Sequence, residues 1–167
     1  MTQKESKYSG SARSAARLAA VQALYEGEIA GSTLQTLLTD SVQRRWRSVP
    51  MLEDDSDELA PAVEPDVGHL TAVLKGVFAR KDDLDQMISG ALAEDWPLDR
   101  LETLLKCVMR AGAFELLDRT QIPPKVIITE YVEVARAFFD KGEAAMVNGV
   151  LDRLAHLLRD AEMSPAP

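Results

Sequence analysis

The sequence predicts an all-α protein of six to seven helices packed as bundles. Apolar residues recur at spacings of three and four along most of the chain, the period of an amphipathic helix. Glycine, proline and small polar residues punctuate that pattern where helices would start and stop. No stretch shows convincing strand alternation.

The elements follow in order. A first helix is expected from about Ala12 to Ala30, with Ser11 as N-cap, Gly31 as the stop, and Leu18, Val21, Tyr25 and Ile29 as its buried stripe. Ser32, with Gln35 three places on, reads as a capping box for a second helix that buries Leu34, Leu37, Leu38 and Val42 and ends near Trp46. The stretch from Ser48 to Pro65 holds three prolines and a run of acids, too polar to pack, and reads as a mobile surface loop. Asp66 then caps a long third helix, from Leu70 to Leu92, in which the polar patch from Arg80 to Asp83 marks a kink or exposed turn. Trp96-Pro97 punctuates the chain before a helix that places Leu98, Leu101, Leu105, Val108 and Leu116 in the core. A further helix begins around Pro124. Its β-branched Val126-Ile127-Ile128 run continues to Val132, Ala135 and Phe138 at helical spacing, which favours helix over strand. After a turn from Asp140 to Glu143, a last helix through Val147, Val150, Leu151 and Leu154 frays from Ser164.

Composition narrows the function. At 167 residues the chain suits one domain with a sizeable core. Its one cysteine, Cys107, excludes an internal disulfide and a cysteine-cluster metal site. His69 and His156 have no nucleophile or carboxylate at a diagnostic spacing, and no phosphate loop or zinc spacing appears. No catalytic residue, cofactor or metal is therefore expected. With no apolar run near the roughly 18 residues of a membrane span and a polar start, the expected setting is cytoplasmic, with no membrane partner.

The net charge of −8 is unevenly spread. Residues 1–47 carry seven Lys/Arg against four Asp/Glu, whereas residues 48–66 carry seven acids and no base. The N-terminal segment thus stays open to RNA despite the overall sign. Lys4, Lys7, Arg13 and Arg17 cluster there, and Arg13 and Arg17 stand four apart, one helical turn. Such guanidinium groups grip phosphates or stack on bases; solvated arginines beside an apolar stripe are the plainer alternative. A second cluster, Arg44, Arg45, Trp46 and Arg47, suits either nucleic acid or a helix C-terminus. The acidic loop that follows would shield it or be an inert insertion. Asn148-Gly149 inside a helical pattern points to close approach of another helix, or to a partner.

These residues line up with a known family. Ala12-Arg13-Ser14-Ala15-Ala16-Arg17, followed by Val21-Gln22-Ala23-Leu24-Tyr25, resembles the opening helix of the NusB family of bacterial transcription antitermination factors. The stretch from Lys106 to Leu116, with Arg110 and Glu115, is similar to that family's core helix. So is Ile122-Pro123 with Lys125-Val126, Ile128, Glu130 and Glu133, leading to Val147-Asn148-Gly149-Val150-Leu151-Asp152.

The resemblance implies two perpendicular three-helix bundles in one domain over 1–167, with a flexible basic leader 1–11, an acidic loop 48–65 and a short tail 160–167. It implies a non-enzymatic adaptor that pairs with the small-subunit ribosomal protein NusE. The pair would bind boxA RNA of ribosomal RNA operons and act with other Nus factors on RNA polymerase. RNA contacts would fall on Arg13, Ser14 and Arg17, with Lys4, Lys7 and Met146. Contacts with NusE would fall on Gln22, Tyr25, Asp99 and Lys106. Where the family commonly has arginine this chain has Ser14 and Ala15, and Met146 and Ala145 replace a frequent aromatic and lysine. Weak RNA binding by the chain alone is expected, with NusE adding positive surface. A protein-interaction module and a homodimer that buries its own RNA face stay open as alternatives.

Overall fold

The structure, a computed structural model, describes residues 3–43 and 63–164, with side chains described from residue 12 onward. Among the described residues it holds seven α-helices and no strand. They are α1 (Gln3–Ala30), α2 (Leu34–Gln43), α3 (Val67–Ala91), α4 (Thr103–Asp118), α5 (Pro124–Phe138), α6 (Lys141–Leu158) and α7 (Asp160–Met163), with a 3-10 turn at Leu98–Arg100 before α4. The chain divides into two compact units, residues 1–74 and 75–167, the boundary falling within α3. The clusters at Arg44–Arg47 and in the acidic loop up to residue 62 lie outside the described residues, as does an extension of α2 to Trp46.

In the first unit α1 starts at Gln3 rather than Ala12, so the leader from residue 3 is helical and Ser11 lies inside the helix instead of capping it. Lys4, Glu5 and Lys7 are good helix formers, and Gly10 costs about 1 kcal/mol without stopping a helix. At the other end Gly31 adopts φ +66°, and the Ser32 N–H donates to the Gly27 carbonyl at 3.1 Å. That six-to-one bond is the Schellman stop, which needs a residue free of Cβ strain. Ser32 is thereby used up by the end of α1. The cap of α2 shifts to Thr33, whose Oγ1 accepts the Thr36 N–H at 3.2 Å, and no capping box forms through Gln35. α1 and α2 pack on each other, with Ala20, Val21, Leu24 and Leu37 buried; of the other residues expected inside on α2, Leu34 and Leu38 are half-buried and Val42 is exposed. Asp66 caps α3 as expected, its Oδ1 accepting the His69 N–H at 3.0 Å, and its own N–H donates to the Ala12 carbonyl at 2.9 Å.

The second unit is built around α4. Arg80 leaves helical geometry (φ −123°, ψ 20°), so α3 does kink at its polar patch. Pro97 opens the short 3-10 turn rather than a long helix, and α4 follows from Thr103. Every residue of α4 from Cys107 to Leu116 is buried. At about 1.5–3 kcal/mol for each fully buried large apolar side chain, Val108, Met109 and Leu116 outweigh any propensity difference in holding this helix. α4, α5 and α6 pack on one another. They approach closely at Gly112, where a Cβ would meet the Leu151 methyls at 2.8 and 3.0 Å. Two polar links join this core: Tyr131 donates its hydroxyl to the buried Glu115, and Arg110 grips the half-buried Asp85 of α3 through Nε (2.7 Å) and Nη2 (3.0 Å).

Two boundaries differ from expectation at the C-terminal end. The turn anticipated at Asp140–Glu143 is the first turn of α6, where Glu143 favours the positive helix end. The tail expected from residue 160 begins with α7, whose Met163 is buried. Arg159 fastens it, donating from Nε and Nη2 to the Glu162 carboxylate at 2.8 and 2.7 Å and from Nη2 to the Thr120 carbonyl at 3.0 Å.

The hydrogen bonds from Arg159 hold the Glu162 carboxyl below its ordinary pKa. A carboxylate whose pKa falls on folding adds stability above its unfolded pKa and loses it as pH drops through the folded value. Protection of the Glu162, Met163 and Ser164 amides, read as exchange relative to the intrinsic rate at each pH, should therefore fall on acidification through the lower carboxylate range, and Glu162→Gln should abolish that dependence. A dependence unchanged in the variant would assign it to another group.

Candidate functional site

Two surfaces gather the residues picked out by sequence, one in each unit. In the first, α1 spaces Ser14, Leu18, Gln22, Tyr25 and Ile29 by three or four residues, so they share one face. The face is open, contrary to the buried stripe expected there: of that stripe only Val21 is buried, Tyr25 is 37% and Ile29 66% exposed, and Leu18, like Ser14 and Gln22, is half-buried. Lys4 and Lys7 precede Ser14 in the same helix.

Arg13 and Arg17, expected to act as a pair, are separated by burial. Arg13 is exposed, but Arg17 is 2% exposed, among the largest fully buried side chains, and engaged with other groups. A phosphate cannot reach a guanidinium so enclosed without opening the fold. Of the two, only Arg13 faces solvent.

In the second unit, Asp99 is exposed in the 3-10 turn and Lys106 is half-buried in the first turn of α4, so the two flank the start of that helix. Met146 lines a groove of about 410 Å³ between the segment that follows α3, residues 92–96, and α6. Leu92, Ala93 and Trp96 form one wall, and Gly142, Ala145, Met146 and Gly149 the other, with Arg153 also in the lining. Arg153 is anchored by an Nη1 hydrogen bond to the Ala91 carbonyl at 2.6 Å.

Gly149 does not serve close helix approach, contrary to expectation: a Cβ there would meet nothing within 4 Å. Its bare backbone widens the groove instead. Gly149→Ala should consequently raise stability by about 0.5–1 kcal/mol, the usual gain over glycine inside a helix. A lower thermal midpoint in this variant would mean that the added methyl meets a neighbour after all.

Trp96 is the residue that sequence reasoning missed. Read as punctuation before Pro97, it is 53% exposed and lies on the groove. The available signal was an indole flanked by Glu94 and Asp95, outside any apolar period that would draw it into the core. Among the described residues no group of three or more His, Cys, Asp or Glu side chains could hold a metal ion, and no helix is long and apolar enough to cross a membrane.

Comparison with known proteins matches this architecture to one family. The family model described as "NusB family" covers residues 14–156. A relative from Rhizobium etli, titled "Transcription antitermination protein NusB", is 43% identical over 147 residues, 88% of each chain. A protein of the same title from Novosphingobium aromaticivorans is 44% identical over 151 residues, covering 90% of this chain and 97% of its own. The solved structure of T. maritima NusB superposes with a TM-score of 0.69 at 27% identity, covering 90% of this chain and 95% of that one. With its all-helical fold, its opening helix and its Asn148-Gly149 signature accounted for together, the chain belongs to the NusB family of transcription antitermination proteins.

Proposed function

We propose that this protein is a cytoplasmic antitermination adaptor that binds boxA-type single-stranded RNA of ribosomal RNA operons as a heterodimer with NusE and joins the elongating polymerase with other Nus factors. The observation that carries this reading is the layout of α1. An exposed cation at Arg13, with Lys4 and Lys7 earlier in the helix, precedes an open face of Ser14, Leu18, Gln22, Tyr25 and Ile29. The cationic end suits phosphates, and the amphipathic end suits a protein partner. Asp99 and Lys106 add a second candidate contact with NusE, and Met146 a second contact with RNA.

Affinity of the isolated chain for RNA is weak on this reading. Arg17 is withdrawn from the surface, and the net charge of −8 repels phosphates over the screening length. NusE then supplies positive surface. The test is RNA binding with and without purified NusE, using boxA and a scrambled strand across a salt series. Preferential boxA binding that strengthens with NusE is the expected result. Replacing Arg13 by alanine should flatten the salt slope by about 0.7 for each single-strand phosphate that the arginine neutralises.

A second reading draws on Ile29 at 66%, Val42 at 47% and Tyr25 at 37% exposure in the first unit. Apolar side chains so presented suit a helix of a partner or of a second copy. Binding of NusE with no boxA preference, or a stable homodimer that excludes RNA, would replace the adaptor reading with that one.

A further inference from the structure

We infer that Glu64 is an affinity-limiting residue of the RNA surface on α1, a carboxylate held beside Arg13 that competes with incoming phosphate; this deepens the RNA reading above and rests on it. The juxtaposition is made by backbone. The Asp66 N–H donates to the Ala12 carbonyl at 2.9 Å, so the start of α3 is tied to α1 one residue before the exposed Arg13. Two residues of chain span at most about 7 Å, which keeps the Glu64 backbone within about one screening length of that bond at physiological ionic strength. The intervening Pro65 is buried and its ring fixes φ, so the connection has little freedom.

The two carboxylates at this junction differ. Asp66 accepts the His69 N–H through Oδ1 and sits at the positive end of α3, where the helix offsets its charge. Glu64 is exposed and precedes the helix, with no such offset. The acid-rich stretch 48–66, seven acids and no base, joins the described fold at this same point. Cation and anion thus meet at the end of α1 that the RNA reading assigns to phosphate. A carboxylate beside a guanidinium satisfies part of the charge that a phosphate would otherwise neutralise, and it repels the phosphate directly. That penalty reads phosphates rather than bases. It lowers the binding of any strand and leaves RNA engagement dependent on the positive surface that NusE adds.

The deciding measurement is RNA binding by the full chain, alone and with NusE, to boxA and to a scrambled strand across a salt series. At low salt Glu64→Gln should tighten binding of both strands about twofold for each phosphate within about 8 Å, from Coulomb's law in water. The gain should fade as salt rises, and the slope of log affinity against log salt should steepen by up to about 0.7, one single-strand phosphate. Glu64→Arg should roughly double the gain on a logarithmic scale. Both variants should melt like the parent, since Glu64 is exposed and the cap of α3 is Asp66. Asp118→Asn removes the same formal charge from an exposed position in the second unit and should leave affinity unchanged. If Asp118→Asn tightens binding as much as Glu64→Gln does, net charge rather than place limits affinity and the proposal is overturned. If both Glu64 variants bind like the parent while Arg13→Ala weakens binding, the RNA surface stands and Glu64 has no part in it. If no chain binds RNA even with NusE, the RNA reading itself fails and the role of Glu64 falls with it.

Discussion

Arg17→Ala is expected to destabilise the fold by about 2–5 kcal/mol, the cost of truncating a large, fully buried side chain and leaving its polar neighbours unmatched. For a protein of this size that lowers the melting temperature by roughly 5–20 °C. The reason is position: Arg17 is 2% exposed and shares its side of α1 with the buried Ala16, Ala20, Val21 and Leu24. Arg17→Glu should be worse, because it puts an opposite charge where the surroundings accommodate a cation. Arg13→Glu, one turn earlier and exposed, should melt like the parent and lose RNA affinity. Thermal melts and RNA titrations of the three variants separate the roles. If Arg17→Ala melts like the parent but binds RNA poorly, Arg17 reaches the ligand and its burial is not a feature of the protein in solution.

The second large effect is an asymmetry at the Arg110–Asp85 pair. Asp85→Ala should cost about 3 kcal/mol, near the lower end for a broken buried ion pair because Asp85 retains some contact with water. Its removal takes two hydrogen bonds from a guanidinium whose side chain is 7% exposed, whereas the Asp85 side chain is 24% exposed. Arg110→Met should therefore cost less: the thioether chain fills much of the volume and the remaining carboxylate can be hydrated. Denaturant midpoints at constant slope report the difference directly. Equal losses, or a larger loss for Arg110→Met, would show that packing of the arginine stem matters more than its pairing with Asp85.

What the sequence made legible was whatever depends on local geometry. The stop at Gly31, the Asp66 cap, the kink at Arg80 and the helical state of Val126–Ile128 are each set within a turn or two of chain, and each is present. The cap of α2 was misplaced by one residue for an instructive reason. Ser32 and Thr33 offer the same hydroxyl, and only the backbone bond from Ser32 to Gly27 assigns the first of them to the preceding helix. Depth was not legible. Arg13 and Arg17 lie one turn apart at similar angles around α1, and spacing sets an angle without saying what lies over it. Trp96 and the groove were missed on the same ground, since a groove is made by elements distant in sequence.

The enclosure of α4 has one more consequence, for how this protein can be watched. Its only thiol, Cys107, sits 1% exposed at the start of that helix's uninterrupted buried stretch. An alkylating reagent in water cannot reach the sulfur until the surrounding helices part. Modification then tracks rare openings of the second unit, and its rate, followed by mass spectrometry under gentle conditions, reads the free energy of those openings when reclosing outpaces chemistry. RNA or NusE that binds the closed form would slow the reaction in proportion to occupancy, so a single native cysteine serves as an internal clock for every ligand the protein meets.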